Sequence, residues 1–229
     1  MLRGALVALV MVGSATGPLA AQSKADSAKI GRSRADSTKA VATRTDSTQS
    51  PLAGRIRGSA AAPVTVYEMS DFQCPYCREF AINTFPALDS AYVATGRVRW
   101  AFVNFPLTSV HHNAVPAAEV ALCAAQQGAF WRVHDLLYQH QELWAPLKEP
   151  AAFFLTLADS AKLSKPALLA CLQSPATEEA IRADAQGAER SGATSTPTFY
   201  IEGGLLVGAQ PLAIFRQVLD SILKAKTGR

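Results

Sequence analysis

Large apolar residues arrive late in this chain. From Gln22 to Gly54 it is rich in Ser, Thr, Ala, Lys and Arg with almost no large apolar side chain, too little to offset its ordering entropy. Residues 22–55 are expected to be a low-complexity tether closed off by Pro51. Its weak ten-residue repeat (Ala25-Asp26-Ser27, Ala35-Asp36-Ser37, Thr45-Asp46-Ser47) is too short to be a stacking unit. From Val64 to Met69 the chain turns β-branched and aromatic, the pattern of a buried strand, and runs straight into Asp71-Phe72-Gln73-Cys74-Pro75-Tyr76-Cys77. Pro75 suits the first position of a helix. Arg78 to Tyr92 keeps helical spacing, with a kink expected at Pro86. Val98 to Phe105 predicts a second strand. From about residue 113 to 190 the pattern is helical, with long stretches at Val120–Tyr138 and Ala151–Leu157 and a further start at Ser164. Two strands, Thr198–Ile201 and Leu205–Val207, flank Glu202-Gly203-Gly204 as a hairpin, and Pro211–Lys224 predicts a closing helix. The order gives an α/β unit over 56–229, interrupted by an all-helical insertion at about 113–190.

The start of the chain has its own pattern. Arg3 is followed by an apolar run, Ala5–Val12, and by small residues at Ala20-Ala21, the layout of a secretory signal peptide over 1–21. Gly13, Ser14, Gly17 and Pro18 interrupt the run, leaving it short of the ~20 apolar residues of a membrane span. No cysteine precedes Cys74, so nothing at the signal exit can carry a lipid. The expectation is an exported, soluble, monomeric protein of the periplasm or another extracytoplasmic face, with a signal retained as an anchor as the alternative.

Composition changes one inference. The pI of about 9.0 suggests an anionic partner, but residues 22–55 hold seven basic side chains against three acids, and Arg3 adds one more charge to a net of +4. The folded part is near neutral, which argues against a nucleic-acid-binding module.

The chemistry centres on Cys74 and Cys77, one helical turn apart at the start of a helix. Unpaired N–H groups and the partial positive charge there favour a thiolate, so Cys74 is expected to be the acidic thiol. Cys77, a turn further in, is expected to be buried and to resolve mixed disulfides. Zinc would need two further ligands; Cys123 and Cys171 lie far apart and His111-His112 is a lone doublet. A purely structural disulfide across two residues is the other alternative to redox chemistry. Neither a metal nor an organic cofactor is called for. Glu68 shares a strand face with Val64 and Val66, where burial would raise its pKa and let it shuttle the Cys77 proton; a surface glutamate is the alternative. Pro197, before a strand, is either a cis-proline presenting the backbone of Thr196 to a neighbouring chain or an ordinary turn proline. In an exported protein the even cysteine count favours a Cys123–Cys171 disulfide over two separate buried thiols.

Several stretches then converge on one family. Glu68-Met69-Ser70-Asp71-Phe72-Gln73-Cys74-Pro75-Tyr76-Cys77-Arg78-Glu79-Phe80 resembles the active-site entry of DsbA-like proteins of the thioredoxin superfamily. So do Val103–Leu107, His111–Ala114, Ala121–Trp131 and Gly192–Ile201, and the likeness covers about Ala62 to Leu223. It implies a thioredoxin-like fold with an inserted helical domain. In that family Cys74 would be the nucleophile, Cys77 the resolving thiol, Glu68 the buried acid and Pro197 the cis-proline, with Thr196 touching substrate backbone and Pro75 and Tyr76 facing substrate. A second disulfide in the helical domain fits Cys123 and Cys171. Three functions follow. The first is a dithiol oxidase acting on exported proteins and reoxidised by a membrane partner of the DsbB or vitamin-K-epoxide-reductase type. The others are a reductase or isomerase of the same compartment, and a binding or chaperone protein without turnover. Tyr76 in the motif and the polar 22–54 segment, an unconvincing dimerisation element, bear on that choice in opposite directions.

Overall fold

The computed structural model describes residues 52–228. The expected signal peptide (1–21) and the expected tether up to Pro51 lie outside the described residues.

Five strands form one mixed sheet in the order β1-β3-β2-β4-β5. Strands β2 (Val64–Ser70) and β3 (Val98–Asn104) pair in parallel, Glu68 opposite Phe102. Parallel neighbours are covered on both faces, which is why β3 reads as an almost unbroken apolar run. β4 (Thr198–Ile201) and β5 (Gly204–Val207) are the predicted hairpin, and β4 lies antiparallel to β2. Its two-residue turn needs positive φ at both positions: Glu202 has 48° and Gly203 has 90°.

At the other edge, β1 (Ile56–Arg57) pairs antiparallel with β3. This corrects the tether boundary. Arg55 is 1% exposed, its carbonyl accepts the Phe102 N–H, and its guanidinium is paired with Asp184. An ordered backbone and a buried ion pair outweigh the polar composition of the residues before them.

After the cysteine motif the chain is helical from Pro75 to Val93, but not as one α-helix. α1 (Pro75–Glu79) passes into a π-helical stretch at Phe80–Thr84, then α2 (Phe85–Leu88) and a second π-helical stretch at Asp89–Val93. At Pro86, where a kink is expected, the hydrogen-bond ladder widens: the Phe85 N–H bonds to the Phe80 carbonyl five residues back, and Pro86 sits at the start of α2, where a missing N–H is tolerated.

The helical block comprises α3 (Ala114–Ala125), α4 (Phe130–Gln139), α5 (Gln141–Trp144), α6 (Ala151–Ser160), α7 (Lys165–Leu172) and α8 (Pro175–Arg190). The stretch expected to be continuous from Val120 to Tyr138 is broken by Gly128, whose φ of 68° reverses the chain between α3 and α4. α9 (Leu212–Thr227) closes the fold. Two cores result. One, under the sheet, surrounds Phe80 with Phe199 at 4.5 Å, Phe215 at 5.2 Å and Trp100 at 5.9 Å between ring centroids. The other fills the helical block around Phe130, Leu137 and Trp144 and reaches Phe72, Cys74 and Cys77. Each fully buried large side chain contributes about 1.5–3 kcal/mol.

Candidate active site

β2 ends at Ser70 and the chain turns at Asp71 to present Cys74. Asp71 is the organiser: its Oδ1 accepts the Gln73 N–H at 2.7 Å, and its Oδ2 accepts the Leu107 N–H at 2.8 Å and lies 2.7 Å from His111 Nδ1. The Gln73 side chain reaches into the helical block, donating to the Ala145 carbonyl at 3.0 Å and accepting the Asn113 N–H at 2.6 Å. From α5, the amide of Gln141 donates to the carbonyls of Phe72 at 2.7 Å and Cys74 at 2.9 Å. Cys74 then takes extended backbone angles (φ −70°, ψ 124°) as the residue before α1, and Pro75 opens the helix.

Both thiols are free and buried, Cys74 at 3% exposure and Cys77 at 0%, whereas Pro75 and Tyr76 between them face solvent. The Cys74 thiol donates to the Thr196 carbonyl at 3.4 Å. The Thr196–Pro197 peptide bond is cis, so the carbonyl that the Cys74 thiol meets belongs to the residue before a cis-proline. The two thiols are electrostatically unlike. A hydrogen bond from Cys77 pulls the Cys74 pKa down to about 6, helped by Thr196 and by the N–H groups of Cys77 and Tyr76, against the opposing effect of burial. Burial, and then the neighbouring Cys74, push the Cys77 thiol well above its ordinary value.

Glu68 is 1% exposed. Its Oε2 accepts the indole N–H of Trp100 at 2.8 Å. Burial raises the carboxyl pKa, with His134, Trp100 and Ser70 opposing. Cys123 and Cys171 are bonded to each other, Cα to Cα 5.7 Å, joining α3 to α7.

A family model described as Thioredoxin matches residues 51–221. The chain belongs to the thioredoxin family. Within that family it is DsbA-like: it is 30% identical over 152 residues to a probable disulfide bond formation protein D of Bacillus anthracis, covering 65% of this chain and 69% of the relative. It is also 38% identical over 153 residues to part of a Na(+)/H(+) antiporter NhaA 3 of Salinispora tropica, 67% of this chain but only 22% of that protein; the chain thus spans about a fifth of that relative's length. The crystal structure of Wolbachia pipientis alpha-DsbA1 superposes with a TM-score of 0.68 at 22% identity, covering 76% of this chain and 92% of that one. In this DsbA-like chain the two free thiols, one of them held acidic, are placed for thiol–disulfide chemistry.

The DsbA-like site holds residues that sequence reading passed over. Asp71 and Gln73 sit inside the motif itself and could have been flagged as polar side chains in a run that becomes buried. His111, which the sequence offers as half of a lone histidine doublet and as part of a stretch resembling the family, lies against the Asp71 carboxylate. Ser70, Tyr138 and Gln141 carried no signal, because the last two lie more than sixty residues from the motif.

Proposed function

We propose that the protein is an exported dithiol oxidase that gives its Cys74–Cys77 disulfide to proteins carrying free thiols. The observation that carries this reading is the opposition between the two thiols, Cys74 held at about 6 and Cys77 pushed up. A Cys74 thiolate at neutral pH stabilises the reduced form relative to the disulfide, which makes the disulfide an oxidant. Substrate thiolate attacks Cys74, and Cys77 is the leaving sulfur. Glu68 serves as proton reservoir, the backbone of Thr196 before Pro197 receives the substrate chain, and Pro75 and Tyr76 border it. Cys123–Cys171 is structural. The name of the Bacillus anthracis relative supports disulfide formation, and the apolar run at Ala5–Val12 supports export. Reoxidation falls to a membrane partner of the DsbB or vitamin-K-epoxide-reductase type, and the protein acts as a monomer.

The test is the reduction potential of the Cys74–Cys77 pair by equilibration in glutathione buffers, with Cys123 and Cys171 kept oxidised or replaced. A value of about −120 mV, typical of strong oxidants, supports the oxidase; about −270 mV, typical of thioredoxin, makes the protein a reductant.

A further inference from the structure

We propose that the Ser70 hydroxyl carries the proton between Cys77 and Glu68, with Tyr138 fixing the direction in which that hydroxyl points. The inference rests on the reading above that Cys77 is the leaving sulfur of exchange.

Glu68 and Ser70 are two apart on β2 and so project from the same face, both at 1% exposure. Cys77, at 0% exposure, comes to the end of this face, its sulfur 3.5 Å from the N–H of Asp71. Hydrogen bonding by the Ser70 side chain opposes the burial-driven rise in pKa of both the Glu68 carboxyl and the Cys77 thiol, and along the strand Ser70 stands between Glu68 and Asp71, whose N–H the Cys77 sulfur approaches. The Ser70 hydroxyl is also 3.0 Å from the Tyr138 hydroxyl. Of the Glu68 oxygens, Oε2 is taken by Trp100, while Oε1 is buried without a hydrogen bond among the described residues. A serine hydroxyl has one proton to give and two lone pairs, and its hydrogen rotates to suit. The single Tyr138 proton has two acceptors in reach, Ser70 Oγ at 3.0 Å and the Asp71 carbonyl at 3.3 Å; donated to Ser70 Oγ, the shorter contact, it leaves the serine proton to serve the cysteine and the carboxyl. The other titratable groups facing the cluster are His134 of α4 and Asp71 at the end of β2.

The proton balance is complete. A substrate thiolate attacks Cys74 Sγ, the new sulfur–sulfur bond forms, the Cys74–Cys77 bond breaks, and its electron pair stays on Cys77 Sγ. Ser70 gives its proton to Cys77 while taking the proton of the Glu68 carboxylic acid. Cys77 ends as a thiol, Glu68 as a carboxylate and Ser70 unchanged. A second substrate thiolate then attacks the substrate sulfur, and Cys74 leaves as a thiolate. On reoxidation the same path runs backwards, since the Cys77 thiol must lose its proton before attacking a mixed disulfide at Cys74.

The reverse direction gives the cleaner experiment. Full-length reduced protein is mixed with oxidised glutathione between pH 5 and 9, following first the mixed disulfide at Cys74 and then its resolution by Cys77. Ser70→Ala is expected to leave the first step at wild-type rate and to slow the second by roughly a hundredfold at pH 7, the low end for loss of a positioned proton donor or acceptor. Its resolution rate should climb steeply with pH, as hydroxide takes over, and Ser70→Thr should restore the rate. Tyr138→Phe should weaken the step without abolishing it. Should Ser70→Ala fail to fold, the unmodified protein still decides: two protons moving together give a curved dependence of the resolution rate on D2O fraction, and a linear dependence overturns the relay. A Ser70→Ala protein with wild-type resolution rate and pH profile also overturns it. Failure of Cys74 in the unmodified protein to form any glutathione mixed disulfide overturns the exchange reading and the relay together.

Discussion

Two thiols three residues apart differ because of what each touches. Cys74 has a donor in Cys77 and backbone N–H groups, so its proton is lost at about pH 6 instead of its ordinary 9.0. A thiol with a depressed folded pKa stabilises the reduced fold above its unfolded value, and that stability disappears as pH falls through about 6. Alkylation of reduced protein by iodoacetamide should therefore follow a single titration near pH 6 at Cys74, with Cys77 silent. Because the largest cause is the hydrogen bond from Cys77, Cys77→Ala should move this titration upward; an unchanged midpoint would assign the effect to the backbone instead. Glu68 works in the opposite sense. Its folded pKa is raised, so the native state holds its proton longer than the unfolded chain, and ionising it costs stability as pH rises above about 4.5. Glu68→Gln keeps an acceptor for Trp100 and removes that cost. The expected outcome is a higher melting temperature than wild type at pH 8, converging below pH 4.5; equal melting curves at pH 8 would mean that the carboxylate is well solvated.

Elements were legible where their pattern was local. β2, β3 and the β4–β5 hairpin follow from β-branched runs and the Glu202-Gly203 turn, and α9 from its spacing. Three features were not. β1 is two residues long and exists only because β3 offers an edge, so no periodicity could announce it. The turn at Gly128 interrupts an apolar pattern that continues on both sides of it. The π-helical stretches depend on a choice between hydrogen-bond partners four or five residues away that packing around Phe80 and Phe85 settles. Pairing of Cys123 with Cys171 was favoured by cysteine count, and the geometry supplies the bond. Closing a loop across a separation of 48 residues restricts the unfolded chain by up to about 4 kcal/mol in the chain-entropy model. Replacing both by Ala should lower the melting temperature by about 10 °C, with the Cys74 titration unmoved; a shift of that titration would tie the helical bond to the redox centre.

At the scale of the molecule, the sequence located the cysteine pair but not its supports. Cys74, Cys77, Thr196 and Pro197 could be named because each sits in a short recognisable run. Their common meeting point needed only the expectation that β4 lies beside β2. The groups that hold the pair in place come from a region read simply as helical: Tyr138 of α4, Gln141 of α5, and the Ala145 carbonyl and Asn113 N–H that bind Gln73. Contacts across such separations are set by how helices stack, and single-sequence periodicity reports which face is apolar, not which partner it meets. The correction at Arg55 has the same origin. Its charge reads as part of a basic tail until the acid of Asp184, 129 residues away, is brought against it.

The two hydrogen bonds from one Gln141 amide to the carbonyls of Phe72 and Cys74 bear on portability. A designer who grafted Cys74–Cys77 with its flanking strand onto a bare thioredoxin core would transfer the reacting atoms but leave two inward-facing carbonyls and the Gln73 side chain without their partners. Those groups would turn towards water and take the loop with them. The smallest transferable unit of this active site is therefore the motif together with the helical block that stitches it down.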